Sequence, residues 1–226
     1  MTLKKVVHRP AHEQIPEIMR ELQAAADTLQ EVGWGVSVFG SARIKPGSRY
    51  YAIAEQLGQR LAEAGLPLIA GGGPGIMEAA NKGAYTANGT SIGLNIKLPH
   101  ETTSNQYQTH SLQFEYFYSR KATFFMHSAA YIALPGGFGT LDELFEVLTL
   151  VQTKKVPPAP IILVGKAYWD GLFNWVEEQL SQNGYISPGD SKLAIISDDI
   201  DEIIERIMRF YDTNVGGFGK TAIFPE

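Results

Sequence analysis

The sequence predicts a doubly wound parallel α/β sheet of the Rossmann-like type, in a single domain with one additional N-terminal helix. Two patterns predict this class. Short apolar runs suited to buried parallel strands alternate with segments whose apolar residues recur at helical spacing. Glycine-rich turns follow three of the runs, as strand-to-helix connections do at the carboxyl edge of such a sheet.

The chain of 226 residues is long enough for one substantial domain with its own core. We expect a flexible arm over residues 1–13, the folded domain over 14–212, and a tail without periodicity over 213–226. Strands are predicted at 35–39, 67–70, 91–96, 131–134, 160–164 and 193–196, with 114–118 extended. Helices are predicted at 15–32, 49–64, 76–83, 119–130, 168–180 and 200–211, and from Thr140 onward.

Composition excludes several classes of protein. A net charge of −5 without a basic stripe argues against a nucleic-acid surface. The absence of cysteine excludes disulfides and thiolate sites, and the five histidines lack the H-x-x-x-H or H-x-H spacing of a metal site. No apolar run approaches the roughly 20 residues of a membrane span, and no hydrophobic segment follows the basic N-terminus. We therefore expect a cytoplasmic protein that binds neither metal nor membrane.

One stretch, residues 131–149, combines the features of a phosphate site. Its apolar run ends at Pro135, Gly136 and Gly137, because proline lacks an amide hydrogen and glycine opens the φ > 0 region. A helical pattern then begins at Thr140. A strand, a glycine turn and a helix N-terminus direct free N–H groups and the positive end of the helix dipole at one point, which is the geometry that binds phosphate.

Glu143, one turn into this helix, has two interpretations. As a carboxylate it could face whatever is attached to a bound phosphate. However, Thr140-x-x-Glu143 is also a capping box, in which Glu143 would bond back to the Thr140 amide. The spacing alone favours neither interpretation. A phosphate bound at the turn would compete with the capping hydrogen bond and free the carboxylate.

The three glycine turns are expected to converge on one ligand crevice, because the carboxyl ends of parallel strands share one edge of the sheet. They are Gly40-Ser41, the turn at 71–75 with the candidates Gly72 and Gly73, and the turn at 136–140. Neither of the last two continues into the G-x-G-x-x-G spacing of dinucleotide sites. The turns therefore indicate a nucleotide other than a redox dinucleotide.

Arg120 and Lys121 place two cations in the first turn of a predicted helix, where the dipole disfavours each by about 0.3–1 kcal/mol. A bound anion would remove this conflict. Alternatively, both side chains extend into water or pair with a nearby acid such as Glu115. The position of the pair one helix ahead of the phosphate turn favours a functional role.

Three motifs together resemble the Lonely guy (LOG) family. They are the glycine turn and helix start at 71–78, the Arg120-Lys121 pair, and Pro-Gly-Gly-Phe-Gly-Thr-Leu-Asp-Glu, which begins fifteen residues after Arg120. The resemblance covers roughly residues 34–180. The longer N-terminal helix is more similar to the larger bacterial members of the family than to the short plant-type ones.

The resemblance implies a cytokinin riboside 5′-monophosphate phosphoribohydrolase, which cleaves the N-glycosidic bond of a nucleoside 5′-monophosphate such as AMP to a free base and ribose 5-phosphate. Arg120 and Glu143 match the family's catalytic pair. The positions that match its nucleotide contacts are Glu101, Lys121, Gly136, Gly137, Gly139, Thr140 and Thr149. The family has long been labelled lysine decarboxylases, but no Ser-x-His-Lys motif is present to hold pyridoxal phosphate, so no cofactor is expected.

Two alternatives to this function stay open. One is a nucleosidase that accepts purine and pyrimidine monophosphates more broadly. The other is a non-catalytic carrier or sensor of a nucleotide or molybdenum cofactor. The family also implies a homodimer or higher homo-oligomer. Phe124, Phe125 and Met126 cannot all face one core, so one side of their helix is expected to meet another subunit.

Overall fold

Seven parallel strands form one sheet in the computed structural model, which describes residues 10–98 and 104–214. The strands are β1 (Gly35–Phe39), β2 (Leu68–Ala70), β3 (Ser91–Ile96), β4 (His110–Phe114), β5 (Ser128–Ala133), β6 (Ile161–Leu163) and β7 (Ala194–Ile196). The helices are α1 (Ala11–Leu29), α2 (Arg49–Glu63), α3 (Ile76–Thr86), α4 (Phe117–His127), α5 (Phe138–Gln152), α6 (Lys166–Trp175) and α7 (Ile200–Asn214). A π-helical turn, Val176–Ser181, continues α6, and a 3₁₀ turn, Asp190–Lys192, precedes β7.

The strand order is β4-β3-β2-β1-β5-β6-β7. From β1 the chain winds outward to β4, returns to the other side of β1 at β5, and winds outward again to β7. The predicted doubly wound class is therefore confirmed. The order reverses between β1 and β5, and ligands of such sheets bind outside the carboxyl ends of the strands at this reversal.

The strands send alternate side chains to two hydrophobic cores, one on each face of the sheet. In β5, Ala130 and Ile132 enter the first core, whereas Tyr131 and Ala133 enter the second. Helices α2, α3 and α7 cover the first core, and α1, α4, α5 and α6 cover the second. Because both faces are covered, the central strands are mostly apolar, and the two buried serines of β1 and β5, Ser37 and Ser128, hydrogen-bond to each other over 2.6 Å.

The boundaries on both sides of α4 differ from the prediction. Helix α4 ends at His127, and β5 begins at Ser128 rather than Tyr131, because Ala129 and Ala130 are buried in the sheet although alanine favours helices. The segment predicted to be extended, 114–118, instead contains the end of edge strand β4 and the start of α4.

The helices at both ends of the domain are longer than predicted. Helix α1 begins at Ala11, four residues before the predicted start, and α7 continues to Asn214. The predicted arm and tail therefore overlap these helices, while residues 1–9 and 215–226 lie outside the described residues. In the part of the chain that the structure describes, no helix has the length and apolarity needed to cross a membrane.

Candidate functional site

Backbone hydrogen bonds join the three glycine turns at the reversal of strand order. The N–H of Ser41, after β1, donates to the carbonyl of Pro135, after β5, over 3.1 Å. The N–H of Ile76, which begins α3, donates to the carbonyl of Ser41 over 3.0 Å. The turns therefore converge at one edge of the sheet, as predicted.

Of the two helices that begin at these turns, α5 is better suited to bind an anion. Its N-cap is Gly137, and no acidic residue lies in its first turn. Helix α3, in contrast, carries Glu78 in its first turn, where the carboxylate accepts a hydrogen bond of 2.9 Å from the hydroxyl of Tyr51. A carboxylate at a helix N-terminus opposes the binding of a second anion there. A phosphate is therefore favoured at α5.

The third glycine turn differs from the prediction in its backbone conformation. Gly137 has a φ of −97°, outside the left-handed region expected for it. The positive φ angles lie in the second turn, at Gly72 (74°) and Gly75 (71°). Gly136 is required by a contact instead, because a Cβ there would overlap the hydroxyl of Thr140. A Cβ on Gly137 would meet no atom within 4 Å, so this position is open.

Arg120 is buried in the first turn of α4, where β3 and the turn after β2 hold it. Its Nε donates to the carbonyl of Leu94 in β3 over 2.7 Å, and its Nη2 donates to the carbonyl of Gly71, after β2, over 3.4 Å. The guanidinium also lies over the ring of Phe124, 5.4 Å from the ring centroid. These contacts fix the orientation of the guanidinium.

The carboxylate of Glu143 faces this guanidinium, with 3.5 Å between Glu143 Oε1 and Arg120 Nη1. The Glu143 side chain is 14% exposed. Burial raises the pKa of Glu143 from its ordinary value of 4.5 to about 7, although the charge of Arg120 opposes this increase. A carboxyl group that titrates near neutral pH beside a fixed cation is typical of a catalytic site.

The capping-box interpretation of Glu143 is wrong. Helix α5 begins at Phe138, two residues before the predicted start, so the buried Thr140 lies within the first turn instead of before it. Among the described residues, no side chain caps α5. Glu143 consequently lies in the second turn and pairs with Arg120 of another helix.

Lys121 forms ion pairs with α5. Its Nζ lies 3.0 Å from each carboxylate oxygen of Asp142 and 2.5 Å from Oε2 of Glu146. Glu115, the acid suggested from the sequence, lies 3.4 Å from Lys97 instead. The alternative that both cations of α4 pair with acids is therefore confirmed, but the acids belong to α5 and do not include Glu115.

Helix α1 bonds to the segment around the N-terminus of α4, a contribution that the sequence analysis missed. Glu21 accepts hydrogen bonds from the N–H of Glu115, over 2.7 Å, and from the hydroxyl of Ser119. Glu17 accepts a hydrogen bond of 2.6 Å from the hydroxyl of Tyr116. Both carboxylates stabilise the positive end of the α4 dipole. Their i, i+4 spacing on the predicted N-terminal helix is the signal that could have identified them.

Amide side chains hold the second glycine turn, and these too were missed. The side-chain amide of Asn105 donates to the carbonyls of Gly72 and Gly73 over 3.0 and 3.1 Å. The amide of Gln108 also donates to the carbonyl of Gly72, over 3.1 Å. The turn is thereby fixed against the segment that follows β3. No motif in the sequence indicates this contact.

The other predicted site residues fall into three groups. Eight lie in or beside the three turns: Gly40, Ser41, Gly72, Gly73, Gly136, Gly137, Gly139 and Thr140. Glu101 lies outside the described residues. Thr149 is exposed and lies about 9 Å beyond Glu143 along the axis of α5.

Within residues 10–98 and 104–214, no three His, Asp or Glu side chains are grouped so that they could hold a metal ion.

Comparison with known proteins gives both sequence relatives and structural neighbours. A family model described as "Possible lysine decarboxylase" matches residues 77–207. The chain is 32% identical to the rice (Oryza sativa subsp. japonica) protein named "Probable cytokinin riboside 5'-monophosphate phosphoribohydrolase LOGL5", over 77% of this chain and 72% of the rice protein. It is 30% identical to the cytokinin riboside 5′-monophosphate phosphoribohydrolase of Rhodococcoides fascians, over 76% of this chain and 88% of that protein.

A similar solved structure is the molybdenum cofactor carrier protein of Chlamydomonas reinhardtii, with a TM-score of 0.59 and 22% identity, over 80% of this chain and 99% of that protein. The molybdenum cofactor binding protein of Rippkaea orientalis has a TM-score of 0.56 and 23% identity, over 78% of this chain and 96% of that protein. At this level of identity the likeness concerns the fold alone.

Proposed function

Since the chain belongs to the Lonely guy (LOG) family of phosphoribohydrolases, we propose that it hydrolyses the N-glycosidic bond of nucleoside 5′-monophosphates. The products are a free base and ribose 5-phosphate. The substrates that we propose are AMP and its cytokinin derivatives, such as isopentenyladenosine monophosphate. Arg120 and Glu143 are the proposed catalytic pair, and the N-terminus of α5 is the proposed phosphate site.

The observation that carries this proposal is the buried Arg120–Glu143 pair close to the uncapped N-terminus of α5. A helical rise of about 1.5 Å per residue separates Glu143 from Phe138 by about 8 Å along the axis. This length is comparable with that of ribose 5-phosphate. A phosphate at the start of α5 would therefore bring C1′ of the sugar near the Glu143 carboxylate.

The proposed role of Glu143 follows from the charge that develops on the sugar. Departure of the base leaves an oxocarbenium-like state with positive charge near C1′. An ionised Glu143 would stabilise this charge and would orient or deprotonate the attacking water. With a pKa of about 7, the carboxyl group is about half ionised at neutral pH and can both accept and release a proton.

Arg120 has an electrostatic role in this mechanism, because a guanidinium does not titrate near neutral pH. Its charge favours the ionised form of Glu143. Its hydrogen bonds to Leu94 and Gly71 hold the charge in place before substrate arrives. The phosphate bound at α5 is remote from the reacting bond, and its binding energy serves to position that bond.

Lysine decarboxylation, the activity in the description of the family model, is not the function that we propose. Pyridoxal phosphate requires a lysine whose neutral amine can form a Schiff base. Lys121 is next to the catalytic arginine. Burial lowers the pKa of Lys121, but hydrogen bonds to Glu146 and Asp142 outweigh burial, so this pKa lies above its usual value. Lys121 is therefore protonated and unsuited to that chemistry.

The proposal is tested by incubating the purified protein with AMP, GMP, CMP and isopentenyladenosine monophosphate and measuring free base and ribose 5-phosphate by chromatography. Adenosine, which lacks the phosphate, is the matched control. We expect hydrolysis of AMP or isopentenyladenosine monophosphate, with kcat/KM for adenosine lower by at least about 10²-fold.

The alternatives have different outcomes in the same experiment. Equal cleavage of GMP and CMP would support the broader nucleosidase. Binding of nucleotides without release of any base would overturn the proposal and favour the carrier or sensor. The likeness to molybdenum cofactor carriers does not itself favour a carrier, because it concerns the fold alone.

A further inference from the structure

Lys121 bridges the two acidic residues that flank Glu143 on α5. Asp142 precedes Glu143 in sequence, and Glu146 follows it by almost one helical turn. Three carboxylate oxygens of these two residues lie within 3.0 Å of the Lys121 Nζ. The Lys121 side chain is 22% exposed, so solvent screens its ion pairs less than it screens a fully exposed pair.

We propose that Lys121 is a positioning residue that acts through Glu143, by neutralising Asp142 and Glu146 so that Glu143 can carry its charge at neutral pH. The inference rests on the catalytic role proposed above for Glu143. It differs from the nucleotide contact that the family resemblance implies for Lys121. The Lys121 Nζ donates hydrogen bonds to both carboxylate oxygens of Asp142, and it forms an ion pair with Oε2 of Glu146 over 2.5 Å.

Among the residues that the structure describes, four charged side chains act on Glu143 besides its burial. Arg120 and Lys121, both from α4, favour its ionised form, whereas Asp142 and Glu146, both from α5, disfavour it. Removal of Lys121 would take away one of these two cations, whereas both carboxylates and the effect of burial would stay. The pKa of Glu143 would then rise above its present value of about 7.

The direct test is the titration of the Glu143 carboxyl carbon by ¹³C NMR in the ligand-free protein, with its signal assigned by its loss in Glu143→Gln. In Lys121→Met we expect the midpoint to rise by on the order of one pH unit. The apparent pKa at which kcat/KM for AMP falls on the acidic side of its pH profile should rise by the same amount. At pH 7, kcat should fall. Thermal unfolding establishes that the variant is folded, and Lys121→Gln replaces it if it is not.

Two further variants separate this effect from a contact with phosphate. Adding Glu146→Gln to Lys121→Met removes one of the carboxylates, so it should return the Glu143 midpoint towards that of the parent. Lys121→Arg should retain the parental midpoint. Lys82→Met is the matched control, because Lys82 forms a similarly exposed ion pair with Glu55 on the opposite face of the sheet, over 2.8 Å.

An unchanged Glu143 midpoint in Lys121→Met, with a higher KM for AMP that Glu146→Gln does not restore, would overturn the proposal and assign Lys121 to the nucleotide. The NMR measurement does not depend on activity. A protein that fails to hydrolyse nucleotides but still shows the shifted midpoint would therefore contradict the proposed function while supporting the coupling of Lys121 to Glu143.

Discussion

Glu143 is subject to two opposing influences in the folded protein. Burial favours its neutral form and is the larger, whereas the Arg120 guanidinium favours its ionised form. The result is a carboxyl group with a pKa of about 7, near the optimum for a group that exchanges protons at neutral pH. The same burial gives Glu143 a measurable effect on stability as well as on turnover.

Replacing Glu143 with glutamine should lower the turnover of AMP by at least about 10²-fold, the range typical of losing a general base or an electrostatic stabiliser. Binding of AMP should be retained, because the proposed phosphate contacts come from the start of α5. Both are measured by steady-state kinetics and calorimetry. Glu205→Gln, in an exposed ion pair on α7, is the control. Near-parental turnover in Glu143→Gln would show that another group performs the reaction.

The same variant tests the pKa through stability. Because the pKa of Glu143 is higher in the folded chain (about 7) than its ordinary value (4.5), its stabilising contribution is complete below pH 4.5 and is lost as the pH rises through 7. Between pH 4.5 and pH 8 the parent should lose about 3 kcal/mol relative to Glu143→Gln. Denaturant unfolding at both pH values measures this difference, and a pH-independent difference would contradict the raised pKa.

Gly137→Val tests the phosphate site at α5. The φ of −97° and the open surroundings of Gly137 allow a side chain without strain, so the melting temperature should change little. A side chain at the helix N-terminus should nevertheless obstruct a bound phosphate, and affinity for AMP should fall by at least about tenfold. Gly136→Val is the contrasting variant, since it would collide with Thr140 and destabilise the fold. Parental affinity in Gly137→Val would place the phosphate elsewhere.

At the scale of elements, the proposed catalytic residue Arg120 depends on neighbouring elements for its position. Glu17 and Glu21 of α1 bond to residues at the start of α4, the helix that carries Arg120. The end of β2 and the body of β3 then accept hydrogen bonds from Arg120 itself. The additional N-terminal helix is therefore part of the support for the site.

Close packing of α2 on α3 leads to an element-scale prediction. A Cβ on Gly83 would overlap the carbonyl oxygen of Glu55, so Gly83→Ala should force the helices apart and destabilise the protein by about 1–3 kcal/mol. Gly171→Ala in α6, where a Cβ meets no atom within 4 Å, should instead stabilise the protein by about 0.5–1 kcal/mol. Chemical denaturation measures both, and equal effects would refute the contact.

At the scale of the whole molecule, the strand order brings distant segments to one crevice, and α4 and α5 line a surface groove that contains both aromatic and charged side chains. Phe124 and Phe125 are both buried in the core, so Met126, which is 58% exposed, is the member of the Phe124–Met126 run that faces outward. Phe117 and Tyr118 are also exposed on α4. The expectation of a homo-oligomer therefore rests on this surface and stays a prediction.

We expect sedimentation at micromolar concentration to detect at least a dimer. Tyr118→Glu should weaken the association by placing a charge in the groove, whereas Tyr185→Glu, at an equally exposed residue after the π-helical turn, should not. A monomeric mass for the parent protein would contradict the prediction.

The sequence by itself determined the fold class and the candidate turns, because apolar runs, helical periodicity and glycine are local properties. Pro135, Gly136 and Gly137 mark the end of β5 whatever surrounds them. The sequence also identified Arg120 and Glu143, through a motif whose spacing is local as well. These predictions required no knowledge of which segments meet in space.

The tertiary structure alone decided the burial, the protonation and the ion pairing of the side chains in the crevice. Contacts between segments far apart in the chain bury Glu143 and raise its pKa, pair Lys121 with α5, and bond Glu21 to the segment before α4. The boundary between α4 and β5 likewise moved because Ala129 and Ala130 gain more from burial in the sheet than from helix propensity. Desolvation and ion pairing depend on distances between such segments, which local sequence patterns do not specify.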